Sequence, residues 1–228
     1  DVNHIKNVLR MRPGEKIRVC TRNGQNYFCS ISDITESFVR ADILEKEAES
    51  TELPCRIYLF QGLPKNDKME WIIQKTVELG VYEVIPVAMK NCVVKLDDKK
   101  AKSKVTRWQA IAESAAKQSK RSLIPEVKMP MSYKEAVAYA KKLDVKLVPY
   151  ENEHGMAGTK AAMEQIKKGE SIAVFIGPEG GFAPEEIALV QDEMQLISLG
   201  KRILRTETAG IAALAILGYQ LESSDMIE

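Results

Sequence analysis

A glycine-rich loop, from Gly177 to Gly181, is the first place in this sequence where chemistry is indicated. The apolar run from Ile172 to Ile176 before it predicts a buried strand. Pro184 and the two glutamates after it predict the start of a helix, where proline fits the first turn and carboxylates favour the positive end of the helix dipole. Glycine serves where a backbone bends sharply or approaches another group closely. A strand, a tight loop and a helix in this order are typical of ligand sites in open α/β sheets.

Phosphate is the usual ligand of such a loop, but the residues here do not favour it. The loop has neither the Gly-Lys-Ser/Thr of a P-loop nor the Gly-x-Gly-x-x-Gly of a dinucleotide site. The carboxylate of Glu179 would also repel a phosphate. From this loop alone, a tight connection without any ligand carries about equal weight.

A second loop, between Leu196 and Gly210, repeats the pattern. A strand ends at Gly200 and a short basic turn follows. Thr206 is then placed to cap an apolar helix, with Glu207 in its first turn. The segment 147–155 is a third candidate. If the three strands are neighbours, their loops would frame one pocket of backbone amides and carbonyls, which suits an adenine ring held by main-chain groups.

The composition excludes several classes of protein. Two histidines, His4 and His154, are too few for a multi-histidine metal site and make Ser-His-Asp catalysis improbable. Four cysteines without a Cys-x-x-Cys pair argue against zinc and for the reducing cytoplasm. No window reaches the ~18 apolar residues of a membrane span. The first residues lack the apolar core of a signal peptide and read as part of a structured element, so natural N-terminal residues are expected to precede them. We predict no metal and no membrane partner.

Two basic segments stand out in a chain whose formal net charge is +1. Residues 1–22 and 99–121 each carry several lysines and arginines with few acidic residues. A solvated charged face is the commoner explanation for a single run. Two such runs in a nearly neutral chain favour a polyanionic partner such as RNA.

The remaining pattern divides the chain into two domains. Residues 1–48 predict a short helix and then a small β-rich domain, with a hairpin turn at Asn23-Gly24. A polar segment, Glu45 to Pro54, is expected to be the linker. Residues 54–228 alternate strands and helices, which predicts an α/β domain with a mostly parallel sheet and helices on both faces.

A helix over residues 67–79 is expected to begin with a capping box formed by Asp67 and Glu70. Trp71 lies on its polar face beside two lysines. Packing of Trp71 against the first domain or a partner subunit is favoured over stacking on a base.

Two further helices differ in their apolar surfaces. A helix near residues 102–120 has an apolar stripe around Trp108 opposite a basic face. The last helix, TAGIAALAILGYQL, is apolar nearly all round. Such a helix must be buried on most sides, which predicts a core position plus a subunit interface.

Four segments together resemble the RsmE family, methyltransferases of the SPOUT superfamily. They are GLPKNDKMEWIIQKTVELG, AAKQSKR with IPEV, IGPEGGFAPEE and SLGKRILRTETA. HIKNVLRMRPGE resembles the start of the family's N-terminal PUA-like domain, so the resemblance covers nearly the whole chain. GPEGG followed at this distance by LGKRILRTETA is highly specific. The chain departs from the family around His154 and lacks the arm that precedes the His4 motif.

The resemblance implies a fold and an activity that spacing alone does not show. The implied fold is a C-terminal SPOUT-type α/β trefoil knot, a rare feature, with a small N-terminal PUA-like β-barrel. The implied activity is methylation of N3 of a uridine in the 16S ribosomal RNA of the small subunit. S-adenosylmethionine would lie in the knot, near the interface of a homodimer.

The same resemblance implies the residues that hold the cofactor. They are Gly177, Pro178, Glu179, Gly180, Gly181, Leu199, Gly200, Ile203, Leu204 and Thr208, with Pro149 and Tyr150 as weaker candidates. This ligand carries no phosphate, so the objection raised by Glu179 no longer applies.

Methylation of uracil N3, a weakly acidic imide, needs a base for the proton and a cation for the resulting anion. Arg205 and Glu207 flank the start of the last helix. We assign Arg205 as the anion stabiliser and Glu207 as the base or an orienting group. A purely structural pairing of Arg205, with Glu207 or with carbonyls, is the alternative.

RNA would be held mainly through its phosphates, by residues of both domains. The predicted residues are Arg10, Arg12, Lys16 and Arg18 in the first domain and Lys65, Lys75 and Arg121 near the site. Two other classes stay open. A nucleotide- or NAD-using α/β enzyme would lack phosphate-binding residues here, and a non-catalytic RNA-binding factor of ribosome assembly would leave the two glycine loops unexplained.

Overall fold

A computed structural model describes residues 2–21, 25–47, 50–153 and 155–224. The chain divides between Glu52 and Leu53 into two compact units. The predicted hairpin turn at Asn23-Gly24, residue His154 and part of the predicted linker lie outside the described residues.

The first unit contains a short π-helical turn and an antiparallel sheet. The turn spans His4–Val8, and the strands are β1 (Lys16–Cys20), β2 (Asn26–Ile34) and β3 (Val39–Lys46). β2 lies between the other two strands, and its side chains Cys29 and Ile31 are buried. β3 extends to Lys46, which pairs with Tyr27 of β2.

The second unit alternates strands and helices around one sheet, which confirms the predicted α/β architecture. Its elements are β4 (Arg56–Gly62), α1 (Lys68–Glu78), β5 (Val81–Ala88), α2 (Asp98–Gln118), β6 (Glu126–Val127), β7 (Met131–Ser132), α3 (Tyr133–Ala140), β8 (Val145–Pro149), α4 (Ala157–Glu164), β9 (Ser171–Ile176), α5 (Pro184–Ala188), β10 (Gln195–Ile197) and α6 (Thr206–Ser224). The strands are parallel in the order β10-β8-β9-β4-β5-β6, and β7 also pairs with β5. The two-residue strands β6 and β7 escape sequence prediction because runs so short show no alternation.

Helices cover both faces of this sheet because its central strands are apolar on both sides. On β4, Ile57 and Leu59 belong to the core under α1, α2, α4 and α6, whereas Tyr58 and Phe60 belong to the core under α3 and α5. Phe60 stacks on Phe175 of β9 with ring centroids 4.4 Å apart. Strands buried on both faces are typical of parallel sheets.

Helix α1 begins at Lys68, but the predicted capping box at its start is wrong. The Asp67 side chain makes no capping hydrogen bond, and its carboxylate lies 3.4 Å from Nζ of Lys104. The Glu70 carboxylate lies 2.8 Å from the guanidinium of Arg107. Both acids are thus engaged by basic residues of α2, which the sequence pattern of α1 does not reveal.

Helices α2 and α6 differ in how much of their apolar surface is covered. The predicted stripe of α2 around Trp108 is buried. In α6, Leu214 and Leu217 are buried, whereas Ala215 is exposed and Tyr219 is 75 % exposed. One face of α6 therefore belongs to the core, and its other face is an apolar surface that the single chain leaves uncovered.

Candidate active site

The three predicted loops meet at one edge of the sheet. β8 pairs with both β9 and β10 in parallel, so the carboxyl ends of the three strands lie side by side. The loops that follow them enclose a cavity of about 640 Å³, a size typical of small-molecule sites. The predicted cofactor residues that line it are Pro149, Tyr150, Gly177, Pro178, Glu179, Gly181, Leu199, Gly200, Ile203 and Leu204. Gly180 and Thr208 are not among its lining residues.

Close backbone contacts shape the glycine loop. A Cβ atom on Gly62, at the end of β4, would lie 2.7 Å from the backbone nitrogen of Pro178, so β4 approaches the loop more closely than any side chain would permit. Gly181 has a φ of +66°, and its N–H donates to the carbonyl of Pro178 at 2.9 Å, which closes a tight turn. From the loop after β5, Nδ2 of Asn91 donates to the carbonyl of Gly180 at 3.0 Å. Gly180 therefore shapes the loop from outside the cavity.

Helix α5 starts after this loop as the sequence predicts. Pro184 is its first residue, and Glu186 accepts hydrogen bonds from the backbone N–H groups of Ala183 and Lys90, both at 2.8 Å. Glu186 is buried. Its carboxylate thus satisfies backbone donors at the helix start and in the neighbouring loop.

Thr206 joins the second loop to the first, which corrects the prediction that it caps α6. Its hydroxyl donates to the carbonyl oxygen of Gly177 at 2.6 Å and accepts a hydrogen bond from Nε2 of Gln61 at 2.9 Å. Thr206 and Gln61 are both buried. The N–H groups of Thr208 and Ala209 donate to the carbonyl of Arg205, both at 2.8 Å, so the cap position of α6 is one residue earlier than predicted.

The two predicted catalytic residues stand at the start of α6 in different surroundings. Arg205 is exposed and lines the cavity. Glu207 is half-buried beside Lys68, and its Oε2 lies 3.1 Å from Nζ of that lysine. Arg205 thus has direct access to a bound ligand, whereas Glu207 reaches the site through Lys68.

Lys68 lies between two carboxylates, because its Nζ is also 3.0 Å from Oε1 of Glu179. The hydrogen bonds to Glu179 and Glu207 raise the pKa of Lys68. Burial by itself would raise the pKa of Glu179, but the backbone N–H of Lys65 and the ammonium group of Lys68 outweigh it, so the pKa of Glu179 is lowered. Lys68 and Glu179 are therefore both charged at neutral pH.

Several cavity residues were not predicted from the sequence. Among them are Lys68, Phe182, the acidic residues Glu151 and Glu153 and the basic residues Lys201 and Arg202. The helical pattern of α1 placed Lys68 on a polar, solvent-facing side. One feature of the sequence could have predicted the role of Lys68. It is the first residue of a helix, where a cation opposes the helix dipole, so acidic residues are needed nearby to compensate its charge.

The predicted RNA-binding residues of the first unit are accessible with one exception. Arg10, Arg12 and Lys16 are exposed. Arg18 is half-buried, and its Nε donates to the carboxylate of Glu47 at 2.6 Å.

In the second unit, Lys65 is exposed, whereas Nζ of Lys75 lies 2.9 Å from Glu78 and 5.0 Å from the ring centre of Trp71. Trp71 is 53 % exposed. Lys65 can be reached by an anionic partner directly. Lys75 would have to leave the carboxylate of Glu78 to bind one.

The prediction that Arg121 binds RNA is wrong. Its side chain is buried, and Nη1 donates to the carbonyls of Val77 and Val81 at 3.0 and 2.7 Å. These carbonyls lie at the end of α1 and the start of β5. Arg121 therefore holds backbone acceptors inside the domain and has no surface to offer a phosphate.

The described part of the chain contains no cluster of metal-ligating side chains and no membrane-spanning helix. Within it, no group of three or more His, Cys, Asp or Glu side chains is placed to hold a metal ion. Among the same residues, every helix is too short or too polar to cross a bilayer.

Comparison with known proteins defines the class of this site. Residues 51–218 match the family model described as an RNA methyltransferase domain, and residues 1–44 match the RNA methyltransferase PUA domain. The α/β unit with its loop cavity is therefore an RNA methyltransferase domain.

Individual relatives narrow the family. The Bacillus subtilis protein named Ribosomal RNA small subunit methyltransferase E is 39% identical over 97% of this chain and 88% of its own length. The protein of the same name from Mesomycoplasma hyopneumoniae is 36% identical over 92% of this chain and 87% of its own length. The crystal structure of a Ribosomal RNA small subunit methyltransferase E from Neisseria gonorrhoeae bound to S-adenosyl methionine is 34% identical, with a TM-score of 0.81 over 95% of this chain and 87% of that one. This chain belongs to the ribosomal RNA small subunit methyltransferase E family, which confirms the resemblance seen in its motifs.

Proposed function

We propose that this protein transfers a methyl group from S-adenosylmethionine to N3 of a uridine in the 16S RNA of the small ribosomal subunit. The observation that carries the proposal is the cavity of about 640 Å³ where the loops after β8, β9 and β10 meet. In a chain of this family, that cavity is where a cofactor and a target base can be brought together.

The lining of the cavity fits S-adenosylmethionine. Main-chain donors and acceptors of Gly177, Leu199 and Gly200 suit an adenine ring, and the side chains of Ile176 and Leu204 supply apolar surface. When bound, the cofactor supplies a methyl group activated by a positively charged sulfur. The carboxylates of Glu151, Glu153 and Glu179 at the cavity tolerate that charge.

We assign cofactor binding to the residues that the motifs imply. Ten of them line the cavity, and Gly180 acts through the shape of the glycine loop. The cavity lining gives no support for Thr208.

Arg205 and Glu207 receive the catalytic roles. The guanidinium of Arg205 is always charged and stands at the cavity, so it can stabilise the negative charge that develops on uracil when N3 loses its proton. Glu207 is held by Lys68 rather than aimed into the cavity. We therefore assign it the orienting role, since a base must come within hydrogen-bond reach of the proton it removes.

RNA recognition is assigned mainly to the first unit. We propose that residues 1–48 form a PUA-like RNA-binding domain with the fold of a small β-barrel. Its exposed residues Arg10, Arg12 and Lys16 would contact phosphates. Arg18 would join them on exchanging Glu47 for a phosphate. In the second domain, residues 54–228, Lys65 and Lys75 would contact phosphates of the RNA.

We also propose that the second unit is a SPOUT-type trefoil knot and that the protein is a cytoplasmic homodimer. β10 lies beyond β8 at the edge of the sheet, while α6 returns to pack against β4 and β9, a path compatible with a knot. The exposed apolar face of α6, with Ala215 and Tyr219, supports an interface between two copies. Ribosomal RNA as substrate supports the cytoplasm as the location.

The test is a methylation assay with small ribosomal subunits that lack the modification. The protein is incubated with these subunits and methyl-labelled S-adenosylmethionine, and the RNA is digested and mapped by mass spectrometry. We expect 3-methyluridine at one position. Calorimetry with ATP, NAD and S-adenosylmethionine is the companion measurement. Tight binding of ATP or NAD would favour a nucleotide-using enzyme, and RNA binding without any mass gain would favour a non-catalytic assembly factor.

A further inference from the structure

We propose that Lys68 is a positioning residue of the transfer reaction: its ammonium group ties the glycine loop, through Glu179, to the first turn of α6, through Glu207. The geometry of this tie stands on its own, whereas its consequence for catalysis rests on the proposed function. Lys68 belongs to α1, so the tie joins three separate segments of the chain at the edge of the cavity.

The contacts of Lys68 have the form of a bridge. Its Nζ lies 3.0 Å from Oε1 of Glu179 and 3.1 Å from Oε2 of Glu207. Glu179 is held a second time from the same region, because its Oε1 accepts the backbone N–H of Lys65 at 3.0 Å. The start of α1 thus holds the glycine loop by one backbone group and one side chain, and it holds α6 through the same ammonium group.

Burial distinguishes this bridge from the ion pairs of the surface. The side chains of Lys68, Glu179 and Glu207 are only 27, 25 and 19% exposed. By contrast, Lys141 and Glu193 also pair at 3.0 Å, but their side chains are 55 and 53% exposed. Screening by water is weaker at the partly buried site, so each contact there holds its partners more firmly.

The position of Lys68 in α1 makes a role in helix stability a poor explanation. It is the first residue of the helix, where the dipole favours carboxylates and disfavours an ammonium group. Its stabilising partners come from outside the helix, because Glu179 lies on the glycine loop and Glu207 lies in the first turn of α6. The lysine therefore serves these two segments more than it serves its own helix.

Removal of Lys68 would leave two carboxylates close together with no cation between them. Glu179 and Glu207 would repel each other, which would push the glycine loop and the first turn of α6 apart. Arg205 directly precedes α6, so this shift would also move the backbone that carries its guanidinium. A displacement of about 1 Å at a reacting group can lower a rate by about 100-fold.

The experiment compares Lys68→Met, Lys68→Arg, Glu207→Gln and the double variant Lys68→Met/Glu207→Gln in the full chain. Methyl transfer to small ribosomal subunits gives kcat, and calorimetry gives the Kd for S-adenosylmethionine. We expect Lys68→Met to lower kcat at least about tenfold and to raise the Kd by a smaller factor, because the glycine loop also carries cofactor contacts. Lys68→Arg should recover most of the rate. The double variant should be no slower than the slower single variant, because both changes break the same tie.

Lys141→Met is the matched control, since it removes a lysine from an ion pair of equal length whose two residues do not line the cavity. It should leave kcat and Kd unchanged. The proposal is overturned if Lys68→Met keeps kcat within about threefold of wild type, or if the losses of the two single variants multiply in the double variant.

A urea-unfolding cycle on wild type, Lys68→Met, Glu207→Gln and the double variant separates this proposal from the proposed function. We expect the effect of Lys68→Met on the unfolding equilibrium constant to differ about fivefold between wild type and Glu207→Gln. This difference is expected whether or not the protein methylates RNA. An inactive wild type with that difference would refute the methyltransferase and keep the tie, whereas independent effects would refute the tie. If Lys68→Met does not fold, Lys68→Gln takes its place in the cycle.

Discussion

Thr206 and Gly177 connect the two glycine-bearing loops by one hydrogen bond of 2.6 Å, from the threonine hydroxyl to the glycine carbonyl. Nε2 of Gln61 donates to the same hydroxyl at 2.9 Å. A hydroxyl has a single proton to donate, so the amide of Gln61 directs that proton to Gly177. The bond fixes the start of α6 against the end of β9, which sets the distance from Arg205 to the glycine loop.

Replacing this hydroxyl should therefore disturb both stability and the site. Thr206→Val keeps the shape of the side chain but removes the donor of the Gly177 carbonyl and leaves the Gln61 amide with the Gly62 carbonyl as its remaining acceptor. We expect the free energy of unfolding to fall by about 1–3 kcal/mol and S-adenosylmethionine to bind more weakly, measured by urea unfolding and calorimetry. Thr206→Ser keeps the hydroxyl and should cost less than about 1 kcal/mol. Equal losses in the two variants would show that the hydrogen bond is not what matters.

Gly62 controls how closely β4 approaches the glycine loop. In Gly62→Ala the new Cβ would lie 2.7 Å from the nitrogen of Pro178, and backbone on one side must shift. We expect the affinity for S-adenosylmethionine to fall at least about tenfold in calorimetry, since the loop carries several of its proposed contacts. Gly158→Ala in α4 is the control, because its Cβ meets no atom within 4 Å. That variant should bind normally and gain up to about 1 kcal/mol of stability. Normal cofactor affinity in Gly62→Ala would mean that the loop tolerates displacement.

Arg205 is expected to act on the transition state more than on the bound cofactor. Arg205→Ala should abolish methyl transfer to small ribosomal subunits while the Kd for S-adenosylmethionine stays close to that of wild type. Arg205→Lys keeps the charge without the planar guanidinium and should retain a fraction of the rate. Turnover near the wild-type level in Arg205→Ala would remove this residue from the mechanism.

The sequence predicts the separate loops of the site better than it predicts their assembly. The strand β9 and the loop after it are recognisable because an apolar run ends in glycines and a proline-initiated helix follows. The side-by-side arrangement of β8, β9 and β10 depends on pairing between strands distant along the chain, which local periodicity does not encode. Only the resemblance to a family made one shared cavity a specific expectation.

The predictions that are wrong share one physical cause. Asp67, Thr206 and Arg121 each have a side chain that local rules assign to a cap or to the solvent. Each instead meets a partner from another element: Lys104, Gly177 and Val77, respectively. The local rules describe an isolated element, and tertiary contacts override them wherever a better partner is brought near.

Arg121 provides a direct test of that distinction. Arg121→Ala would remove the guanidinium donor of the Val81 carbonyl and leave the Val77 carbonyl with the N–H of Gly80. We expect the free energy of unfolding to fall by about 2–3 kcal/mol in urea titrations, while the salt dependence of RNA binding stays the same. Arg12→Ala, at an exposed position, should do the opposite, with little loss of stability and a shallower salt dependence. A shallower salt dependence in Arg121→Ala would restore its predicted contact with RNA.

The bridge at Lys68 should give stability a defined pH range. The pKa of Glu179 is lowered from 4.5, so the stability it adds is present above that value and is lost as the pH falls through its folded-state pKa. The pKa of Lys68 is raised from 10.5, so its contribution is present below that value and is lost as the pH rises through its folded-state pKa. Between these two pH limits, the free energy of unfolding of wild type should therefore exceed that of Lys68→Met by about 1 kcal/mol. The difference should become smaller at lower and at higher pH. Urea unfolding across the pH range measures this difference.

Glu179→Gln is the control, because it lacks the carboxylate that titrates in acid. In that background, the loss of stability at low pH should be smaller. A difference between wild type and Lys68→Met that persists unchanged in acid would mean that the Lys68–Glu179 pair adds no stability.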